Sequence, residues 1–214
     1  MKKYGHASVW VLVALLTFSG VSCKPKKRTQ AELDAALLEA IRRGDVEQTK
    51  ALLDEGADPN AKDEQGNSAI ISATALGSIT PMHYPKPGII IALANKGANL
   101  NATGASGKTP LGKLAGTCMY SDGAPHYEGV ISVLLSKHAD INARDAFGNT
   151  PLMNATESCC TEMLKILLAA GADPNTRNNK GDRALMIVNP RYSLVAPSYC
   201  KEAYDLLEAA GAKE

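Results

Sequence analysis

Leu52-Leu53-Asp54-Glu55-Gly56-Ala57-Asp58-Pro59-Asn60 is the stretch from which the whole chain can be read. It returns as Leu93-Ala94-Asn95-Lys96-Gly97-Ala98-Asn99-Leu100-Asn101 and as Leu134-Leu135-Ser136-Lys137-His138-Ala139-Asp140-Ile141-Asn142. It returns again as Leu167-Leu168-Ala169-Ala170-Gly171-Ala172-Asp173-Pro174-Asn175, and a truncated copy, Leu206-Leu207-Glu208-Ala209-Ala210-Gly211-Ala212, closes the chain. Each copy ends an apolar helical pattern on a turn, at a glycine in every copy but the third. Recurrence of one phrase along a chain marks a solenoid, whose units bury their apolar faces only against their neighbours. Such a chain is a binding scaffold unless its residues ask for chemistry.

A second signature opens each following unit: Gly66-Asn67-Ser68-Ala69-Ile70, Gly107-Lys108-Thr109-Pro110-Leu111, Gly148-Asn149-Thr150-Pro151-Leu152 and Gly181-Asp182-Arg183-Ala184-Leu185. Thr109-Pro110 and Thr150-Pro151 pair a capping hydroxyl with proline at the first helical position. Ala36, Leu37, Ala40 and Ile41 are at helical spacing over 35–43, and Val46, Leu52 and Leu53 repeat the pattern over 46–54. The Thr-Pro-Leu start and the Gly-Ala-Asp turn together resemble the ankyrin-repeat family over residues 30 to 214. The resemblance implies an all-α fold, an ankyrin-repeat solenoid of five helix-turn-helix units with finger hairpins. The units are 35–67, 68–108, 109–149, 150–182 and 183–214, forming one domain over 35–214. Their lengths are 33, 41, 41, 33 and 32 residues, so two units exceed the usual period of ~33.

The start of the chain reads as an address. Lys2 and Lys3 precede an apolar core from Ala7 to Phe18 and then small residues, the pattern of a secretory signal peptide over 1–22. The core is shorter than the ~20 residues a spanning helix needs. Ser19-Gly20-Val21-Ser22-Cys23 resembles a bacterial lipoprotein cleavage site, with Gly20 departing from the usual leucine. The resemblance implies lipidation of Cys23, a charged linker over 23–34 and a lipid-anchored place in the cell envelope, in the periplasm or at the outer membrane. Residues 29–214 hold 17 Lys and Arg against 22 Asp and Glu, a net charge of −5. That balance is not that of a nucleic-acid surface, which needs a clustered basic face.

Beyond Cys23, the cysteines are Cys118, Cys159, Cys160 and Cys200. An even number in an exported domain invites disulfides. Strictly equivalent positions on neighbouring helices ~8–10 Å apart are too distant to bridge. Cys118 and Cys200, however, border inserted segments that can bend toward the next unit. Two inter-repeat bridges are expected, Cys118 and Cys200 each joined to one of Cys159 and Cys160, with the pairing open.

The extra residues fall between the two helices of a unit, over 78–86, 120–128 and about 190–197. Long helix–helix connections are often functional. Tyr84, Tyr120, Tyr127, Tyr192 and Tyr199 lie in or beside them, and Phe147 is at a finger tip. Aromatic residues outside a core are typical of interfaces; the alternative is that the loop rings fold back as lids over the helix ends. By resemblance, the concave face adds Lys62, Gln65, Lys113, Arg144, Met153, Glu157, Arg177 and Asn179 to Tyr84, Tyr120, Tyr127 and Phe147 as protein-binding residues.

No catalytic constellation and no cofactor motif is present. Gly104-Ala105-Ser106-Gly107-Lys108-Thr109 ends like a phosphate loop but has Ala102 where the first glycine belongs. His83 and His126 are the sole basis for a metal-binding or enzymatic accessory role, and two histidines make a poor site. The expectation is a monomeric scaffold that binds another protein and no nucleic acid, held at a membrane by its lipid. An immunity or inhibitor protein that blocks a toxin or hydrolase is the alternative within the binding class.

Overall fold

The computed structural model describes residues 28–74, 87–117, 128–188 and 200–213. The sequence-predicted roles of Cys23, His83, Tyr84, Cys118, Tyr120, His126 and Tyr127, and the three insertions, lie outside the described residues or almost wholly so. Among the described residues ten helices form five pairs: α1 (Gln30–Arg43) with α2 (Val46–Glu55), α3 (Ala69–Ala73) with α4 (Pro87–Asn95), and α5 (Pro110–Ala115) with α6 (Glu128–Ser136). The last two pairs are α7 (Pro151–Glu157) with α8 (Thr161–Ala169), and α9 (Ala184–Val188) with α10 (Lys201–Ala209). Among the described residues there is no strand, only an isolated antiparallel bridge between Lys62 and Ser68.

Local chemistry sets the ends of these helices. The Thr109 hydroxyl accepts from the Gly112 amide and the Thr150 hydroxyl from the Met153 amide, with Pro110 and Pro151 in the first turn where no amide is needed. α1 starts at Gln30, five residues before the pattern that the sequence showed. A capping box starts it there: the Thr29 hydroxyl accepts from the Glu32 amide while the Glu32 carboxylate accepts from the Thr29 amide.

Two layers result. The first helices stack α1 on α3, α5 on α7 and α7 on α9; the second helices stack α2 on α4, α4 on α6 and α8 on α10. Between the layers Leu37, Ile70, Ile90, Leu93, Leu111, Leu114, Ile131, Leu134, Leu164 and Leu167 are fully buried. Each buried aliphatic side chain stabilises by roughly 1.5–3 kcal/mol. No helix of the described residues is long and apolar enough to cross a membrane.

A side-chain ladder joins the units at the turns. The last residue of each full copy of the repeated phrase is asparagine, and its Oδ1 accepts a backbone amide one unit on. Asn60 takes the Asn99 amide at 2.7 Å, Asn101 that of Asp140 at 2.8 Å, Asn142 that of Asp173 at 3.0 Å, and Asn175 that of Lys213 at 2.9 Å. Asn60 and Asn175 also donate to the Gly97 and Gly211 carbonyls. At the first unit α1 supplies both functions itself: Asp34 accepts from the Asp58 amide and Gln30 donates to the Gly56 carbonyl. The extra turn of α1 thus stands where a preceding finger would.

The turn residue preceding each Ala adopts a left-handed conformation, at φ 102 for Gly56, 86 for Gly97, 89 for Gly171 and 79 for Gly211. In the third copy that residue is His138, at φ 66. A side chain in this region costs about 1–2 kcal/mol, part of which glycine would give back as chain entropy. His138→Gly is therefore expected to raise stability by about 1 kcal/mol. A urea midpoint at or below that of the parent protein would reject this account.

Cys159 and Cys200 form a disulfide between the fourth and fifth units, with their Cα atoms 5.1 Å apart. Cys159 sits at the α7–α8 turn with φ 50, which swings it out of line with the helices on either side. Cys160 is disulfide-bonded as well. Cys118, the partner that the expected scheme leaves for it, lies outside the described residues.

Candidate functional site

Each finger is a five-residue turn closed by a backbone bond between its ends: Asp63 to Asn67, Gly104 to Lys108, Asp145 to Asn149 and Asn178 to Asp182. In three of the four, the first residue also clamps the turn from inside. One Oδ atom of Asp63 accepts from the Gln65 and Asn67 amides, Asp145 does the same for Phe147 and Asn149, and Asn178 for Lys180 and Asp182. Burial pushes the Asp63 carboxyl upward, but the Ser72 hydroxyl at 2.7 Å and the Asn67 and Gln65 donors outweigh it, so it stays below the usual aspartate range.

Neighbouring fingers are tied at their tips. The Ala146 amide donates to the Ser106 carbonyl at 3.2 Å, and the Asn179 amide to the Phe147 carbonyl at 2.9 Å. The Asn179 side chain donates to the Ala146 carbonyl and accepts from Arg144. The backbone on both sides of Phe147 is thereby fixed, while its ring is 63% exposed, the only large exposed hydrophobic side chain among the described residues.

At the other end of the same face lies a groove of about 850 Å³ between α1, the first finger, α3 and the far side of α5. Ala35 and Leu38 give it accessible apolar surface over the buried Ile71 and Ile89, and Lys62, Asp63 and Lys113 its polar rim. Burial pushes the Lys113 ammonium below its ordinary range despite the nearby Asp63 carboxylate. On α1 the Arg42 and Arg43 guanidinium groups bind Glu39 and hold its carboxyl down at about 2.

The sequence-predicted contacts fall into two groups. Lys62, Gln65 and Lys113 line the groove. Arg144, Phe147 and Asn179 converge on the third and fourth fingertips. Arg177 is exposed and braces the fourth finger through the Gly181 carbonyl, and Glu157 is exposed at the end of α7 and accepts from Asn149.

Met153 is a correction: it is 1% exposed and belongs to the core. Aligned through the Thr-Pro pairs, Met153 corresponds to the buried Gly112 and to Ile71 at 0% exposure, whereas Lys113 corresponds to Ser72 and Asn154. Lys113 and Met153 are thus one residue out of register with each other, and in the fourth unit both Met153 and the in-register Asn154 are buried. The Thr-Pro signature carried the information needed to avoid it. The interunit asparagines were missed although they close every full copy of the repeated phrase.

Residues 33–64 match the family model described as Ankyrin repeat, and residues 119–188 match the model described as Ankyrin repeats (3 copies). Over those residues the chain is similar to ankyrin repeats, and the stacked helix pairs form an all-α solenoid of that kind. Comparison with curated proteins gives no match.

Proposed function

We propose that this chain is an exported, lipid-anchored scaffold that binds another protein in the bacterial envelope through its fingertips and concave face. The observation that carries the reading is Phe147, an aromatic ring held out to solvent by a backbone that four hydrogen bonds from its own and both neighbouring fingers fix in place. A preorganised anchor loses little entropy on binding. Export is supported by the signal-peptide pattern and by a cross-unit disulfide, which persists in oxidising compartments. The anchor rests on Cys23 following that pattern. The net charge of −5 over residues 29–214 favours a basic partner.

The test is crosslinking capture from native envelopes with the parent protein and with Phe147→Ala. Loss of a central aromatic anchor is expected to weaken capture of one specific protein by roughly thirtyfold, about 2 kcal/mol. Equal capture by a folded variant would remove the fingertip from the interface.

A further inference from the structure

Glu39, Ser72, Lys113, Asn154 and Ile187 occupy one equivalent row along the first helices, spaced by the unit lengths. From the second unit on, the first residue of the preceding finger lies nine positions before the residue of this row. In the second unit the two are paired: the Ser72 hydroxyl donates to Asp63 at 2.7 Å. In the third unit the corresponding finger residue is Gly104, which has no side chain to offer. Side-chain space there is already taken, since a Cβ on Gly104 would lie 3.0 Å from the Ile71 Cγ2.

Lys113 therefore lacks the acid that its place in the repeat would meet. Its hydrogen bond is to the Ile71 carbonyl at 3.5 Å, and that oxygen already accepts from the Thr74 amide and hydroxyl. Asp63 is close enough to act on it electrostatically, but its oxygens are occupied by Ser72, Asn67 and Gln65. The other acids of the groove are largely taken as well. Glu39 is held by Arg42 and Arg43, and Asp34 by Gln30 and the Asp58 amide. Only Glu64, exposed on the first finger, has neither a hydrogen bond nor an ion pair among the described residues. A half-buried ammonium whose one protein hydrogen bond is long can take a further partner, and a carboxylate pairs with it more strongly than a neutral acceptor does.

We propose that the groove receives an extended segment of a partner protein, and that an acidic side chain of this segment pairs with Lys113 while its apolar neighbours lie on Ala35 and Leu38. The proposal builds on the protein-binding function proposed above and gives its second contact point a chemistry. A groove of about 850 Å³ is within the range that encloses a ligand of several residues. Side chains of an extended segment alternate in direction, so one can reach Lys113 while its neighbours meet the apolar wall.

The probes are blocked pentapeptides, Ala-Leu-Glu-Leu-Ala and Ala-Leu-Gln-Leu-Ala, acetylated and amidated so that glutamate is the sole carboxylate. They are titrated into the full protein, the folding of each variant being checked by its thermal midpoint. The glutamate peptide is expected to bind the parent about tenfold tighter than the glutamine peptide. Lys113→Gln should erase that difference, and Lys113→Arg should keep most of it. Equal affinities of the two peptides for the parent, or no binding of either at millimolar concentration, would overturn the proposal. So would binding only of the glutamine peptide with a free C-terminal carboxylate, or succinate competing as well as the glutamate peptide does. Should Lys113→Gln not fold, the comparison of the two peptides on the parent protein decides alone. The titration needs no envelope partner, so failure of the capture experiment and failure here are read separately.

Discussion

Replacing both Cys159 and Cys200 by alanine is expected to lower stability by about 4 kcal/mol, the loop-closure entropy of a bridge spanning 41 residues. Alanine is the substitution of choice because Cys200 is 3% exposed and a serine hydroxyl there would be buried. The loss should concentrate in the last unit. Among the described residues, the large aliphatic side chains that this unit buries are Leu185, Val188 and Leu207. Without the bridge, α10 keeps its packing on α8 and α9, the Lys165–Glu202 ion pair and the Asn175–Lys213 contact. Exposed ion pairs contribute about 0–1 kcal/mol, so these leave a large deficit. Amide exchange in α9 and α10 should accelerate well before exchange in α3 to α6. An unchanged urea midpoint, or protection lost evenly along the chain, would show that the bridge does not hold the last unit.

Two fingertip glycines separate the strain of a turn from the grip between fingers. Gly66 and Gly148 have nearly the same conformation, at φ 79 and 78. A Cβ on Gly66 would meet nothing within 4 Å; one on Gly148 would lie 2.4 Å from the Asn179 Oδ1, 2.6 Å from Arg144 and 2.8 Å from the Asn179 amide nitrogen. Gly66→Ala should therefore show conformational strain alone, about 1 kcal/mol. Gly148→Ala should add the disruption of the Asn179–Phe147 and Asn179–Arg144 bonds and lose about 3 kcal/mol in all. The same substitution should weaken partner capture while Phe147 itself is intact. Similar losses in the two variants, measured by urea unfolding, would mean that Asn179 moves aside freely and that the fingertip is not braced.

The architecture was readable because its signals are local and repeated. Thr109-Pro110 and Thr150-Pro151 begin helices by capping chemistry that depends on a few consecutive residues, and Gly44 and Gly56 end them by their conformational freedom. The interunit contacts are another matter. The Asn101–Asp140 bond joins residues 39 apart, and no local pattern says which amide an exposed asparagine will find. Exposure at Phe147 followed from its place at a finger tip; the brace from Asn179 did not, since it depends on how closely two fingers stack. Gly104 reads as one more turn glycine until Asp63, Asp145 and Asn178 are seen at the same place in the other fingers. Met153 shows how narrow the margin is: its equivalents Ile71 and Gly112 are buried, and the next position carries the half-buried Ser72 and Lys113 but also the buried Asn154.

The asparagine rungs run along the turn side of the stack, whereas the eight-residue insertions of the second and third units fall at the opposite, helix-to-helix connection. Rungs Asn101–Asp140 and Asn142–Asp173 span 39 and 31 residues along the chain yet have nearly equal lengths. Axial rise is thus metered on one edge while chain length is spent on the other. A protein built this way can change the chain length between its paired helices without changing the spacing of its units, which makes it a natural chassis for grafted segments.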